Sequence, residues 1–436
     1  MNPAKRLFDE FAATARENRG AFLPVFGCFF LVLFSYSFLR PLCQALYLTA
    51  MGSDRLPHVW IISAVVMAVV VWIYNKFVGT ARPLTLYSIS NVIAIVFFLV
   101  FYFNFSAENR VFSTVAYIVK DIYVVILIEQ LWSFCDATFK VNRAKTLYGF
   151  LAGACSIGGV IASVMTVKLA PEIGSNNLIF IGCGALLVGV FLFASACHKN
   201  PLEGVGEATG EIEPAGPSGS TEKGNDEEDK TRGLGGLRIV FRSKYLLLIC
   251  VMLMLSQFVT ALIDLQFNQV LETEVHTIDS RTAYFGRFFA VTNGVSLVLQ
   301  FVVSAPMLHF LGLFLSLILV PALMGVGSFA FFFAGTMAVI FSTKVTNKSL
   351  TYSIFRSAKE LLYIPLSYVE KYKGKAFIDM FIYRFAKAAI SFVIIGLQAI
   401  IVMTAIKINY MIVGLIIIWI LIVPVLVREY KKINRG

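Results

Sequence analysis

Charge is scarce in this chain: Asp, Glu, Lys and Arg make up 14% of its 436 residues, where a soluble globule carries about a quarter. The scarcity excludes a water-soluble domain, whose helices need a polar face. Histidine is scarcer still. His58, His198, His276 and His309 stand singly, so no metal-ligand spacing exists. A GxxxxGK[ST] segment and a nucleophile elbow are both missing, which removes P-loop and hydrolase-type chemistry. No enzymatic activity, cofactor or metal is expected. The seven cysteines (Cys28, Cys43, Cys135, Cys155, Cys183, Cys197 and Cys250) all fall inside apolar stretches without a CxxC pair. They read as small packing residues.

What the chain has in excess is apolar length. Hydrophobic residues make up 58% of it, and a bilayer core of roughly 30 Å takes about 20 such residues per helix. Twelve stretches between Ala21 and Val427 meet that length: 21–48, 57–79, 83–106, 111–139, 147–170 and 177–198, then 244–270, 283–310, 313–335, 336–356, 375–403 and 408–427. Lipid tolerates no unpaired backbone, so each is read as a helix. The expected fold is an all-α membrane protein of 12 transmembrane helices in two six-helix bundles, a layout that resembles the major facilitator fold. Its expected divisions are an amphipathic N-terminus at 1–20, bundles at 21–198 and 244–427, a linker at 199–243, and a basic tail at 428–436. The linker contains EGVGEATGEIEPAGPSGSTEKGNDEEDK, a composition too poor in apolar surface to fold.

Lys and Arg fall unevenly between the two sets of loops, 23 on the side of both termini against 5 on the other. Cytoplasmic loops retain positive charge, so both termini and the linker are expected in the cytoplasm. This bias accounts for most of the net charge of +11, and no nucleic-acid partner is needed to explain it. Membrane lipid and a small solute are the expected partners of a monomer. Gly149, Gly153, Gly158 and Gly159 space small residues about a turn apart and are read as a helix-packing face.

An ionisable side chain at bilayer depth costs several kcal/mol unless it meets water or a partner, so each one marks a candidate pathway. The spans hold eight bases (Arg40, Lys120, Arg287, Lys344, Lys348, Arg356, Arg384 and Lys387) and five acids (Asp121, Glu129, Asp136, Asp264 and Asp379). The surplus is positive, which points to an anionic solute. Lys344 and Lys348 share one helical face with Thr351, and Asn347 lies beside them. They either face the solute or form a core pair satisfied by acids from other helices. Arg384 and Lys387 form a second stripe. Arg40-Pro41 is expected to interrupt the first helix, either freeing a carbonyl for a ligand or making a kink with Arg40 paired to an acid. Lys120 and Asp121 are adjacent and expected to point apart, whereas Glu129 and Asp136 share a face. Asp136 is expected to pair with Lys140 or Arg143, and Asp264 with Arg287 as an outward gate. Gln257, Asn268, Asn293 and Gln300 offer neutral hydrogen bonding. The candidate solute contacts are therefore Arg40, Lys120, Lys344, Asn347, Lys348, Arg384 and Lys387; the candidate coupling or gating groups are Asp121, Glu129, Asp136, Asp264 and Arg287.

The segment TYSIFRSAKELLYIPLS, Thr351 to Ser367, is followed by KGKAFIDMFIYRFAKAAIS, Lys373 to Ser391. Together they resemble the ATP/ADP antiporters of plastids and intracellular bacteria, which carry a KE, YIP, KGKAxID, RFxK series. WSFCDATFKVNRAKTLYGFLAG at 132–153 and SYSFLRPLCQALYLTA at 35–50 are similar to further family segments. The resemblance implies that Lys387 contacts a substrate phosphate and that Asp264, within LIDLQFNQVL, is a coupling or gating carboxylate. The family's R-D-x-K-D reads here Arg40-Pro41-Leu42-Cys43-Gln44, and its fourth-helix glutamate falls on Lys120, so the positive charge is kept but moved. The reading is a secondary transporter of a nucleotide or phosphorylated metabolite working by antiport. A proton-coupled symporter of another organic anion or peptide, and a non-transporting scaffold or lipid-handling protein, remain as alternatives.

Overall fold

The structure, a computed structural model, describes residues 19–77, 82–106, 109–138, 141–199, 240–299, 304–367, 378 and 383–434. The expected amphipathic N-terminus and acidic linker fall almost wholly outside the described residues. Every regular element among those described is helical: α1 (Arg19–Met51), α2 (Leu56–Phe77) after a 3-10 turn at Ser53–Arg55, α3 (Pro83–Phe103), α4 (Arg110–Thr138), α5 (Val141–Ile173), and α6 (Leu178–Lys199) after a second 3-10 turn at Ser175–Asn177. After these come α7 (Lys244–Glu274), α8 (Ile278–Val298), α9 (Ser304–Ala334), α10 (Met337–Leu350), a π turn at Thr351–Phe355, α11 (Arg356–Leu362), α12 (Tyr383–Gln398) and α13 (Ala405–Ile433).

Among the described residues nine helices are long and apolar enough to cross a membrane. The chain is an integral, multi-pass membrane protein. Of the expected spans, α8 carries Asp279, Arg281 and Arg287, α10 gives way to the π turn after 14 residues, and α12 is a shorter apolar helix. Large apolar side chains face outward, among them Phe103 at 79%, Phe333 at 78% and Ile400 at 80% exposure. That inversion suits lipid as solvent and would aggregate in water.

The chain divides into two compact units. The described residues of unit 1 lie within Met1–Gly52, Val65–Glu213 and Val275–Asn293; those of unit 2 lie within Ser53–Ala64, Pro214–Glu274 and Gly294–Gly436. The start of α2 thus clusters with unit 2 and most of α8 with unit 1.

In unit 1, α1 is the central rod, packed against α4, α5 and α6, while α3 joins α4 and α6. Aromatic side chains fill the space between them. Phe193 lies 4.3 Å from Tyr87 and 5.0 Å from Phe134 by ring centroids. Gly158 of α5 lets α1 close in, because a Cβ there would collide with the Phe30 carbonyl. The expected interruption at Arg40-Pro41 does not occur, since α1 runs through Pro41 to Met51. Proline leaves the carbonyl four residues back, of Ser37, without its helical donor. Thr166 Oγ1 of α5 lies 3.4 Å from it, while its hydroxyl donates at the shorter distance of 2.8 Å to the Ala162 carbonyl of its own helix.

In unit 2, α7 is the counterpart of α1. It packs against α10, α12 and α13, and α9 joins α10 and α13. Burial explains its apolar surroundings: 67% of its most apolar window is buried, against 22% for the span that contains α2. Trp419 of α13, fully buried, packs edge-on against Phe355 of the π turn at 5.6 Å.

Candidate functional site

The sharpest concentration of charge lies in unit 2, where α7 presents Asp264 to α10 and α12. Lys344 and Lys348 sit one turn apart on α10, and their Nζ atoms lie 3.5 Å from Oδ1 and 3.6 Å from Oδ2 of Asp264. Lys387 of α12 reaches the same Oδ2 at 4.0 Å. Three ammonium groups therefore share one carboxylate. Each separation is longer than the roughly 2.7–2.9 Å of a closed charge-assisted hydrogen bond. The carboxylate is shared among the three and closes on none of them.

Aromatic faces hold the two outer members of the trio. Lys344 Nζ lies 3.7 Å from the centroid of Phe267, and Lys387 Nζ lies 4.1 Å from that of Trp60. A ring quadrupole stabilises a cation without neutralising it, so these contacts fix the ammonium groups and leave their charge in place. Side-chain exposure rises from 6% at Lys344 through 19% at Lys348 to 39% at Lys387. The cluster therefore grades from a buried end to an open one. Counting only these four side chains, three positive and one negative, the net charge is +2.

Asn347 does not join the cations. Its Nδ2 donates to Thr260 Oγ1 of α7 at 3.1 Å, its Oδ1 accepts from Thr351 at 3.4 Å, and it is buried. It bolts α10 to α7 and so sets the rotation that aims Lys344 and Lys348 at Asp264. Its polar atoms, expected from the sequence to meet solute, are engaged here between side chains of α7, α10 and the π turn. The π turn that follows adds a residue to one turn of the helix, a feature frequent at functional sites.

Within unit 2 the partners of Asp264 are the three lysines; Arg287, the partner expected from the sequence, belongs to unit 1, where its side chain is exposed. Arg384 opens α12, but its side chain and residues 373–377 and 379–382 of the Lys373–Ser391 motif, Asp379 among them, lie outside the described residues.

Unit 1 carries a second, quieter set. Lys120 Nζ donates to Asp121 Oδ2 at 2.7 Å and lies 4.0 Å from the centroid of Tyr117, with Lys120 only 1% exposed. Tyr36 Oη donates to the other oxygen of Asp121 at 2.8 Å. The expectation that Lys120 and Asp121 point apart is wrong for a simple reason. Their Cβ directions diverge, but a four-carbon lysine stem curls back to its neighbour when no other acid competes. Lys120, expected from the sequence to meet solute, is buried and paired at close range with Asp121. Arg40 is held between rings, its guanidinium carbon 4.0 Å from the centroid of Phe289 and 5.3 Å from that of Tyr36.

Glu129 and Asp136 are both exposed on α4. The partners expected for Asp136, Lys140 and Arg143, have side chains outside the described residues. Among the described residues no group of His, Cys, Asp and Glu assembles a metal site.

Aromatic partners went unnoticed in the sequence, though part of the signal is there. Tyr36 precedes Arg40 by four residues, Tyr117 precedes Lys120 by three, and Phe267 follows Asp264 by three, each at helical-face spacing. Trp60 and Phe289 belong to other helices and leave no local trace.

The TLC ATP/ADP transporter family model matches residues 107–344 and 333–430. ADP,ATP carrier protein 1 of Chlamydia trachomatis is 23% identical over 86% of this chain and 81% of its own length. ADP,ATP carrier protein 3 of Rickettsia typhi is 22% identical over 100% of this chain and 99% of its own. Among solved structures, the POT family transporter PepTSo superposes with a TM-score of 0.62 at 11% identity, covering 94% of this chain and 98% of that one. The nucleoside transporter NupG gives 0.57 at 13% identity, covering 94% and 99%. These structural likenesses speak for a shared transporter fold.

Proposed function

The chain belongs to the TLC ATP/ADP transporter family, and from that premise we propose that it exchanges nucleotides, or closely related phosphorylated metabolites, across a bacterial inner membrane by alternating access. The observation that carries the reading is the meeting of Lys344, Lys348 and Lys387 around the single carboxylate of Asp264. A phosphate group brings several acceptor oxygens and up to two negative charges, which three ammonium groups spaced around a shared centre can satisfy together. In unit 1 the corresponding contact is assigned to Arg40, whose planar cation suits phosphate or a stacked base.

Exchange follows from electrostatics. An anion held by the three lysines lowers the cost of carrying their charge through a closed, water-poor state, so the loaded carrier crosses more readily than the empty one. Twelve spans, two six-helix bundles at 21–198 and 244–427, both termini in the cytoplasm, and a monomer embedded in lipid complete the proposal. The charge asymmetry of the loops and the family's transport role support it.

Proteoliposomes provide the test. Uptake of labelled ATP should require ADP or ATP inside and should be lost in Lys387→Ala. Uptake into empty vesicles driven by a pH gradient would replace antiport by proton symport. Failure to move any nucleotide under either regime would refute the reading.

A further inference from the structure

Asp264 is placed where a ligand's own negative group is expected. Its two carboxylate oxygens lie within 3.5–4.0 Å of all three lysine nitrogens, at the centre of the trio, on the central helix α7. Its neighbours fix it there. Asn268 Nδ2 donates to the Asp264 backbone carbonyl at 2.6 Å, and the Asn347–Thr260 bond holds α10 in register beside it. A carboxylate in that position resembles one phosphate group in both charge and acceptor geometry. We propose that Asp264 is a specificity-determining residue that acts as a resident anion, occupying the place of one phosphate and so limiting how many phosphate charges the site accepts. This rests on the reading of unit 2 as the anion site.

The argument is one of charge matching in a poorly solvated place. With Asp264 ionised the four side chains carry +2; with Asp264 neutral they carry +3. Each added phosphate in the series from nucleoside mono- to di- to triphosphate brings about one more negative charge. The optimum of the series should therefore move up by about one phosphate when Asp264 loses its charge. It should move down by about one when a lysine is lost. Lys348 is the lysine to remove, since Lys344 and Lys387 each have an aromatic face to hold them.

The experiment compares wild type, Asp264→Asn, Lys348→Gln and the double variant. Two readouts are used: exchange of labelled AMP, ADP and ATP in proteoliposomes, and thermal stabilisation of the purified protein by inorganic phosphate, pyrophosphate and tripolyphosphate. The Asp264→Asn variant should raise the ratio of triphosphate to monophosphate recognition about tenfold, the effect of one unit charge at this range in a half-wet site. The Lys348→Gln variant should lower it by a similar factor, and the double variant should return it near the wild-type value.

An equal loss for all members of the series, with the ratio unchanged, would make Asp264 merely structural and overturn the proposal. Should Asp264→Asn fail to exchange at all, the order of stabilisation by the three inorganic anions decides, and an unchanged order refutes the proposal. Wild type that moves no nucleotide but shows the shifting inorganic series would overturn the nucleotide reading and leave the role of Asp264 standing.

Discussion

Replacing Asp121 by Asn tests whether Lys120 is a structural cation. The change preserves shape and keeps an oxygen for the Tyr36 hydroxyl, yet it strips the counter-charge from an ammonium group that is 1% exposed. At 2.7 Å and an effective dielectric of about 20, the pair's attraction is about 6 kcal/mol. The Asp121 side chain is 39% exposed, so water screens much of this, and a net loss of about 2–3 kcal/mol is the realistic figure. The Tyr117 ring, 4.0 Å from the ammonium, returns only a fraction of it. The purified Asp121→Asn protein, a chain of 436 residues, should melt about 2–3 °C below wild type. Lys120→Met should fall by less, because the half-open Asp121 can then turn to water, and Lys120→Met with Asp121→Asn should recover most of the loss, as apolar replacements of ion pairs often do. Equal melting of Asp121→Asn and wild type would show that the pair contributes nothing. A larger loss in Lys120→Met than in Asp121→Asn would show that the carboxylate, not the lysine, is the group that cannot stand alone.

Other substitutions probe the packing beneath the sites. Gly158→Ala should push α5 away from the Phe30 carbonyl and lower stability by about 1–3 kcal/mol, read as reduced melting temperature and yield. Thr166→Val should cost less than about 1 kcal/mol, because its hydroxyl proton goes mainly to the Ala162 carbonyl at 2.8 Å and only secondarily to that of Ser37 at 3.4 Å, so its melting temperature should stay close to that of wild type. Trp60→Ala should free Lys387 from its ring and weaken nucleotide affinity by roughly threefold to tenfold, seen as a raised KM for exchange with little change in maximal rate; a lowered maximal rate at unchanged KM would contradict the holding role.

Hydropathy made the fold class legible because lipid imposes one rule on every helix that crosses it. The rule weakens where function sits. α10 carries Lys344, Asn347 and Lys348 within 14 residues and then passes into a π turn; α8 carries Asp279, Arg281 and Arg287. Both fall short as membrane spans, α10 by its length and α8 by its three charged side chains. No pattern of side chains announces the π turn, since it concerns the spacing of backbone bonds.

Charges at membrane depth were legible as a set but not as pairs. Spacing within one helix shows that Lys344 and Lys348 share a face, and the structure agrees. Which acid answers them depends on how α7 and α10 are rotated against each other, and that rotation is set by Asn347 and Thr260, two residues whose chemistry is common in any helix bundle. Lys120 fails in the opposite direction. Face geometry separates it from Asp121, yet the reach of the lysine side chain exceeds the separation of the two faces, and a buried ammonium takes the nearest carboxylate available. The same flexibility lets three lysines from two helices gather on Asp264, and a cluster built from long side chains can open for an incoming anion by rotamer changes while α7 and α10 stay locked. If Asp264 acts there as a resident anion, specificity follows the net charge, which rotamers do not alter.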